Sequence, residues 1–385
     1  MLGSIPAGSL RATKRDTSIC SPEIMYIPKY TISTDILKNI GLVEAAKEVI
    51  DNAPLVPAWE AKFKEDARLR AAHYGTALEG NDLTMGEAKI IVEQNVEDLA
   101  AASDAGVVAR DRDVQEVINY RDVLEYLDQK KIEEYTKEML CEIQRLVTYR
   151  IVQTEQSGKY RQTQVVLKNS LTGEVGFRPP GFHEVPFLVD DFLRWLNSDF
   201  GKKEHPVLRA GIAHYVLAAI HPFVEGNGRT ARAFATLILL SEGYDIKRLF
   251  ALEEYFDKNA ADYFGALMEV SNQSTHLEDR DLTNWLSVFT RALALELTRI
   301  KEKIRELSVD THIKQRMGKQ VALSERQMRI VEYLNAHGEI AMAGARNLLT
   351  MVSEDTILRE LKDLMNKDVI VKKGSTKAAK YVLKK

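Results

Sequence analysis

The stretch that decides the fold of this chain is His221-Pro-Phe-Val-Glu-Gly-Asn-Gly-Arg-Thr-Ala-Arg232. It places a base, a carboxylate, two glycines, an amide and two arginines close together in the sequence. Residues 206–220 before it and 229–240 after it carry apolar side chains at helical spacing. The stretch is therefore predicted to connect two buried helices of a mostly helical protein.

The local geometry of this connection follows from its proline and its glycines. Pro222 disfavours a helical conformation of the preceding residue, so His221 is predicted to be extended and to lie at the exit of the first helix. Gly226 and Gly228 permit a tight turn into the second helix. The free N–H groups and the dipole at the start of that helix form an anion site.

The charged side chains of the stretch indicate what that anion is. Arg229 and Arg232 are three residues apart, so both can reach phosphates at the start of the second helix. Glu225 stands beside them, and a carboxylate next to phosphates commonly holds magnesium. His221 can take a proton from an attacking hydroxyl group. Together they predict transfer of a group from a nucleotide.

Two other interpretations of these residues exist. Gly226-Asn-Gly228-Arg-Thr-Ala231 also fits the GxGxxA pattern of dinucleotide-binding folds, but that pattern requires a preceding strand and a helix is predicted here. A lone histidine at a helix end is more often structural than catalytic. The residues that follow His221 favour the catalytic role.

The stretch resembles the signature of the Fic family, HxFx(D/E)GNGRxxR, and fills every specified position. The resemblance implies an all-α Fic core that transfers AMP from ATP to a protein hydroxyl group. It implies that His221 is the general base and Glu225 the Mg²⁺ ligand. A kinase-like branch of the family has Lys where this chain has Gly228, which disfavours phosphate transfer. The remaining implied ATP-binding residues are Gly226, Asn227, Gly228, Arg229 and Arg232.

A second segment, His73-Tyr-Gly-Thr-Ala-Leu-Glu79-Gly-Asn81, resembles the autoinhibitory helix of the same family, (S/T)xxxE(G/N). The resemblance implies that Glu79 pairs with Arg232 within the chain and takes the site of the γ-phosphate. This sequence departs from the pattern, because Gly75 stands four residues before Glu79 and Thr76 only three. The alternative is a solvated carboxylate at a helix end.

Residues 158–167 alternate as in a short strand, and residues 168–173 are typical of a turn. A hairpin after a Gly-x-Tyr-Arg element is, in the Fic family, the flap that docks the target by strand addition. The resemblance implies this role for Val165, Val166 and Leu167, the alternative being an ordinary hairpin. Tyr263 stands where the family places a tyrosine against adenine, and a core aromatic residue is the alternative.

The order of these segments predicts an all-α core with a small β-hairpin flap and a separate α+β unit at the C-terminus. The C-terminal unit is predicted as three helices and a hairpin, which is typical of a winged helix. The predicted divisions are a flexible arm (1–30), an N-terminal helical region with Glu79 (31–105), the Fic core (106–300), a linker helix (301–320) and a winged helix-turn-helix domain (321–385).

The winged helix leaves its partner open. From residue 321 onward the chain has 12 Lys and Arg against 8 Asp and Glu, which is compatible with contact to a DNA backbone. The third helix begins with Glu354-Asp355 and has few side chains that could read bases, so contact with protein or a homodimer is an equal alternative. The sequence does not decide between these partners.

The composition narrows the remaining possibilities. The net charge of −3 gives no argument for a nucleic-acid or membrane partner of the whole chain. Cys20 and Cys141 form neither a disulfide framework nor a zinc pattern, and no apolar run reaches transmembrane length, so a cytoplasmic protein is expected. Alternative functions are removal of AMP from a target, with Glu79 orienting water, and a nucleotide-sensing, DNA-binding regulator. The expected substrates are ATP with Mg²⁺ and a protein, which includes the chain itself.

Overall fold

The computed structural model describes residues 26–53, 57–129, 132–168, 175–244, 246–307, 323–350, 352–374 and 379–384. Most of the predicted arm and residues 308–320 of the predicted linker helix lie outside this set. The described residues are mostly helical with two small sheets, which confirms the predicted fold class of the core. In the described parts of the chain, no helix combines the length and apolar character needed to cross a bilayer.

The N-terminal region consists of α1 (Thr34–Asp51), α2 (Pro57–Ala77), α3 (Met85–Glu93) and α4 (Leu99–Asp104). The sequence pattern of residues 87–99 predicts one continuous helix, and this prediction is wrong. Asn95 takes a left-handed conformation (φ 50°), and the side chain of Asp98 caps α4 by accepting a hydrogen bond from the N–H of Ala101 (2.9 Å). Asn in left-handed backbone and Asp at an N-cap are the favoured residue types for these tasks.

The segment predicted as the core, residues 106–300, contains α5 and the helices that follow it up to the long helix α13. Its two central helices are apolar on nearly all faces, which buries them among the others. The spacing of residues 252–270 predicts one helix, but the structure divides this segment in two at Asn259. The elements are α5 (Asp111–Asp128), α6 (Lys137–Val147), α7 (Val185–Asn197), α8 (Asp199–Lys203), α9 (Pro206–Ile220), α10 (Asn227–Ser241), α11 (Leu252–Lys258), α12 (Ala260–Ser271) and α13 (Thr283–Leu307), with 3₁₀ turns at Ile246–Arg248 and Leu277–Asp279.

A glycine allows α9 and α13 to approach closely behind the site. A Cβ at Gly211 would lie 2.9 Å from a methyl carbon of Leu286 and 3.0 Å from the ring of Phe289. The indole N–H of Trp285 donates to the carbonyl oxygen of Gly211 (2.7 Å). This contact sets the distance between α9 and α13, and so the position of the C-terminal end of α9, where His221 lies.

The predicted flap hairpin is shorter than expected. In this described region β1 (Leu167–Lys168) and β2 (Val175–Phe177) pair in antiparallel orientation, and residues 169–173 of the predicted turn lie outside the described residues. Residues 158–166 were predicted to be part of the strand, and this is wrong. Arg161 instead donates its backbone N–H to the carbonyl oxygen of Pro222 (2.8 Å), so the segment bonds to the motif and not to a strand.

The C-terminal unit contains α14 (Glu325–His337), β3 (Ile340–Ala341), α15 (Met342–Leu348), α16 (Glu354–Asn366), β4 (Ile370–Lys373) and β5 (Lys380–Leu383). The strands form an antiparallel sheet in the order β3-β5-β4. Ser324 caps α14 through a reciprocal bond with Gln327, and Gly338 ends it with a φ of 79°. The three helices and the hairpin match the predicted element order, while assignment to the winged-helix class stays a prediction.

Candidate active site

The histidine of the motif ends α9 in an unusual backbone conformation. His221 lies in the left-handed region (φ 53°), so the prediction of an extended residue before Pro222 is wrong. Its N–H still donates to the carbonyl oxygen of Leu217 (3.0 Å), which completes the last turn of the helix. The guanidinium group of Arg161 donates to the carbonyl oxygen of His221 (2.8 Å). These bonds offset the strain of a non-glycine residue at positive φ.

The turn from the histidine into α10 is held by the side chain of Asn227. Its Oδ1 accepts from the N–H of Phe223 (2.9 Å), and its Nδ2 donates to the carbonyl oxygen of Phe223 (2.8 Å). Gly226 has a φ of 76°, and a Cβ there would lie 2.8 Å from a methyl carbon of Val147. Because the amide of Asn227 is used within the loop, the backbone N–H groups at the start of α10 are the donors that can meet an anion.

The imidazole of His221 is arranged to accept a proton. Its Nδ1 lies 3.3 Å from the carbonyl oxygen of Ala218, a geometry that assigns the proton to Nδ1 and leaves the lone pair on Nε2. Burial lowers the pKa of His221 to about 4, against the opposing effects of the Ala218 bond and of the Glu79 charge. The ring is therefore neutral at pH 7. It lines a cavity of about 120 Å³ together with Gly228 and Phe177.

The two arginines of the motif are buried and paired with carboxylates. Arg229 lies 3.2 Å from Glu116 and 3.2 Å from Glu225. Arg232 lies 3.0 Å from Glu79, which is the pair that the resemblance implied. A phosphate that binds to the guanidinium group of Arg232 must therefore compete with Glu79.

Glu79 reaches the site from the segment that follows α2. The N–H groups of Glu79 and Asn81 both donate to the carbonyl oxygen of Thr76 (2.9 and 3.3 Å), so the segment folds back on the helix. Burial raises the pKa of Glu79, but the charge of Arg232 and its hydrogen bond outweigh burial and leave the pKa below its usual range. The ionised carboxylate lines the same cavity as His221.

The departure from the family pattern at Gly75 has a packing reason. A Cβ at this position would lie 2.7 Å from a ring carbon of Tyr120. The carbonyl oxygen of Gly75 accepts a hydrogen bond from Arg232 (2.8 Å). The neighbouring hydroxyl of Thr76 donates back to the carbonyl oxygen of Ala72 (3.0 Å), within α2. Glycine thus lets the helix approach closely enough to touch the arginine.

Tyr263 stands in the wall of the cavity with its hydroxyl directed inward. The hydroxyl accepts from Arg232 (3.4 Å) and lies 3.1 Å from Nε2 of His214. The ring packs edge-on against Phe264, which is partly exposed at the mouth of the same cavity. Contact of Tyr263 with adenine stays a prediction, and the observed bonds give it a second task in orienting Arg232.

Glu225 is the carboxylate that the sequence assigns to magnesium. It is partly exposed and pairs with Arg112 (3.2 Å) and Arg229 (3.2 Å), in both cases through Oε1. Its second oxygen, Oε2, is therefore the one that a cation bound to phosphates can meet. Among the described residues no cluster of three or more potential metal ligands occurs.

The flap residues named from the sequence lie along the edge next to this cavity. Val165 is half-buried, Val166 is exposed, and Leu167 pairs with Phe177 across the short sheet. Phe177 lines the cavity with His221. Docking of a target segment by strand addition at this edge stays a prediction.

Sequence reasoning gave no role to two buried side chains that hold the site. Arg161 donates to carbonyl oxygens on both sides of the flap base and at the end of α9, and only its place in the Gly-x-Tyr-Arg element could have marked it. Glu116 on α5 contacts both Asn81 and Arg229. No pattern around Glu116 marks it, because the neighbouring residues of α5 have the spacing of an ordinary core helix.

Comparison with known proteins identifies related sequences and folds. A family model described as the Fic/DOC family matches residues 134–239. The chain is similar to "Protein adenylyltransferase Fic" of Drosophila ananassae, with 29% identity over 183 residues that cover 48% of this chain and 34% of that protein. The protein of the same name from Drosophila melanogaster is 30% identical over an equal length. The chain thus spans about a third of the length of the curated relatives it matches.

Solved structures show the same fold. A Fic family protein from Desulfovibrio desulfuricans superposes with a TM-score of 0.61 at 22% identity, over 93% of this chain and 98% of the other. Fic-1 from C. elegans superposes with a TM-score of 0.53 at 23% identity, over 71% of this chain and 74% of the other.

Proposed function

This chain carries a Fic/DOC-family domain at residues 134–239, and from this we propose that it transfers AMP from ATP to a Ser, Thr or Tyr hydroxyl group of a protein. The observation that carries the proposal is the neutral imidazole of His221, which opens into one cavity with Gly228 at the start of α10. A proton acceptor and an anion site in one cavity suit attack of a hydroxyl group on a phosphate.

In the proposed reaction the hydroxyl oxygen forms a bond to the α-phosphorus of ATP. Its proton passes to Nε2 of His221, and the bond from the α-phosphorus to the oxygen that bridges to the β-phosphate breaks. Pyrophosphate leaves with the electron pair of that bond. The N–H groups at the start of α10 stabilise charge on the α-phosphate, while Arg229 and Arg232 hold the departing phosphates.

Magnesium would be held at Glu225, where it would neutralise charge on the phosphates. The residue fits this task because one of its oxygens remains outside the two arginine pairs. Arg112 and Arg229 hold the carboxylate beside the start of α10.

The same geometry supports inhibition by Glu79. Its carboxylate occupies the guanidinium group of Arg232 (3.0 Å), where a γ-phosphate would bind. The cavity beside it measures about 120 Å³, less than the roughly 300 Å³ or more of typical small-molecule sites. ATP can therefore enter in its reactive position only after Glu79 has moved.

Removal of AMP from a modified target is a second candidate function. It is favoured by one observation: the ionised Glu79 and the neutral His221 line one cavity, so a water molecule between them could be oriented for attack. Release of AMP from a pre-modified target by the wild type, and its loss in Glu79→Gly, would separate this activity from simple inhibition.

The C-terminal unit is proposed to be a winged helix that contacts protein. Glu354 at the start of α16 pairs with Arg346 of α15, and Glu339 pairs with Lys380 of the hairpin. These acids neutralise basic side chains that a DNA backbone would need. Tight operator binding would instead identify a DNA-binding regulator, and we expect none in a gel-shift measurement.

The experiment that tests the proposed function is incubation with α-labelled ATP and Mg²⁺. Glu79→Gly should raise the label on protein about 5- to 150-fold over the wild type. Adding His221→Ala should lower it again by on the order of 100-fold or more. Matched controls are Glu97→Gly, in an exposed loop, and His276→Ala, an exposed histidine outside the cavity. Equal label in the wild type and Glu79→Gly would refute inhibition, and retained transfer without His221 would refute its role as base.

A further inference from the structure

One buried carboxylate is shared by the segment that carries Glu79 and by the first arginine of the motif. Glu116 of α5 is only 4% exposed. Its Oε2 accepts a hydrogen bond from Nδ2 of Asn81 (3.0 Å), and its Oε1 lies 3.2 Å from Nη1 of Arg229. Because Asn81 follows Glu79 by two residues, a single side chain touches both the inhibitory segment and the phosphate site.

The other contacts of Asn81 hold the segment at the same place. Nδ2 also donates to the carbonyl oxygen of Asp113 (3.0 Å), and Oδ1 accepts from the N–H of Leu83 (3.1 Å). Asn81 is 7% exposed, so water does not replace these bonds easily. A buried acceptor that loses its donor is costly, which makes the Asn81–Glu116 bond important to both partners.

The other oxygen of Glu116, Oε1, is bound by basic side chains. Nε of Arg112 donates to Oε1 (3.1 Å), beside the contact of the same oxygen with Arg229. Departure of Asn81 would leave Oε2 without its donor. Rotation of the carboxylate toward the two arginines restores a partner, and an arginine can bind both oxygens of a carboxylate at once.

We propose that Glu116 is a positioning residue that couples the docking of residues 79–83 to the seating of Arg229 at the phosphate site. This inference rests on the proposed function and adds a mechanism for its regulation. With Asn81 docked, Glu116 divides its oxygens between the segment and Arg229. When the segment leaves, both oxygens serve arginines, so the release of Arg232 by Glu79 and a firmer hold on Arg229 occur together.

Amide hydrogen exchange of residues 79–83 in the full-length chain tests the coupling without requiring AMP transfer. Asn81→Ala and Glu116→Gln should each speed this exchange on the order of tenfold. Glu116→Gln should add less than about twofold in the Asn81→Ala background, because Glu116 no longer contacts the segment there. Glu125→Gln is the matched control, since it makes the same change on α5 at a half-exposed side chain, and it should leave the exchange unchanged.

A second measurement approaches the coupling from the arginine. Arg229→Lys should change the exchange of residues 79–83 by at least about threefold when Glu116 is present, and by less in the Glu116→Gln background. A merely structural role of Glu116 in α5 would not produce this dependence. If Asn81→Ala does not fold, the isosteric Asn81→Asp removes the same donor and should speed exchange further by repulsion from Glu116.

The outcomes separate this inference from the proposed function. Additive effects of Asn81→Ala and Glu116→Gln, or unchanged exchange in Glu116→Gln, would overturn the coupling whatever the activity. If the exchange pattern holds but no variant transfers AMP, the coupling stands and the proposed reaction fails.

Discussion

At the scale of single residues, the site depends on side chains that are absent as much as on those that are present. Gly75 carries no Cβ where one would meet the ring of Tyr120, and Gly228 carries none where one would meet the carboxylate of Glu79. Both glycines stand in helices, where glycine costs about 0.5–1 kcal/mol relative to alanine. The missing Cβ atoms leave the space in which Glu79 can approach Arg232 closely.

Replacement of Gly75 by alanine should therefore destabilise the protein, although alanine favours helices. The new methyl group would overlap the Tyr120 ring at 2.7 Å, and we expect a net loss of about 1–2 kcal/mol in the free energy of unfolding. Urea unfolding measures it. Gly265→Ala is the matched control, because a Cβ at Gly265 of α12 meets nothing within 4 Å and should leave stability unchanged or raised. A stabilised Gly75→Ala protein would show that the contact with Tyr120 yields easily.

At the scale of elements, the end of a helix or strand could be predicted where residues next to it in the sequence determine it. Both ends of α9 follow from Pro206 at its first position and from the motif histidine at its end. The interruption at Asn95 and Asp98 was missed because apolar spacing continues through it, although both residue types are signals for helix ends. Residues 158–166 alternate like a strand, but tertiary bonds of Arg161 override that pattern.

The residues of the candidate site likewise fall into those that the sequence could predict and those that it could not. The motif residues and Glu79 could be named from the sequence because each lies in a short pattern with a chemical meaning. Glu116 and Arg161 could not be assigned a role, because their partners are far away in the sequence and meet them only in the folded chain. The left-handed His221 was missed for the same reason, since the bond that stabilises it comes from Arg161.

The bonds of Arg161 link the flap to the end of α9 as one element-scale unit. Its guanidinium group donates to the carbonyl oxygens of His221 (2.8 Å), Thr163 (3.2 Å) and Pro180 (2.6 Å). Lysine cannot reach three such acceptors in one plane. Arg161→Lys in the Glu79→Gly background should lower the rate of transfer about 10- to 100-fold through misplacement of the imidazole.

The affinity of the Arg161→Lys protein for ATP should stay nearly constant, since this arginine does not touch the phosphate site. Transfer rates at saturating ATP, together with ATP titration, make the distinction. Arg291→Lys, an exposed change on α13, is the control. A parallel loss of ATP affinity would show that Arg161 supports the whole loop and does not act on the histidine alone.

At the scale of the whole molecule, the protein buries histidines that must stay neutral. His214 is fully buried in α9, stacks on Trp285 with ring centroids 4.8 Å apart, and meets the hydroxyl of Tyr263. Burial, with a smaller effect of the charge of Arg232, lowers the pKa of His214 from 6.5 to about 3. His221 is lowered to about 4. In contrast, burial raises the pKa of Glu253. This carboxyl group therefore stabilises the fold as the pH falls, whereas the two histidines destabilise it.

The histidines make the stability of the fold depend on pH in a definite direction. Between the folded pKa of about 3 and the unfolded value of 6.5, the unfolded chain binds the proton of His214 and the folded chain does not. Stability from this residue is therefore complete above pH 6.5 and is lost as the pH falls toward 3. From pH 7 to pH 5 the loss from His214 alone is about 2 kcal/mol.

His214→Phe should remove that share of the pH dependence. Phenylalanine keeps the stacking on Trp285 but carries no titratable group, so the difference in unfolding free energy between pH 7 and pH 5 should shrink by about 2 kcal/mol. Urea unfolding at the two pH values measures the difference, and His276→Phe, a change at an exposed position, should leave it as in the wild type. An unchanged difference in His214→Phe would mean that acid acts mainly on other groups. A smaller difference would show that acid unfolds the core through the same helix that ends in the proposed catalytic base.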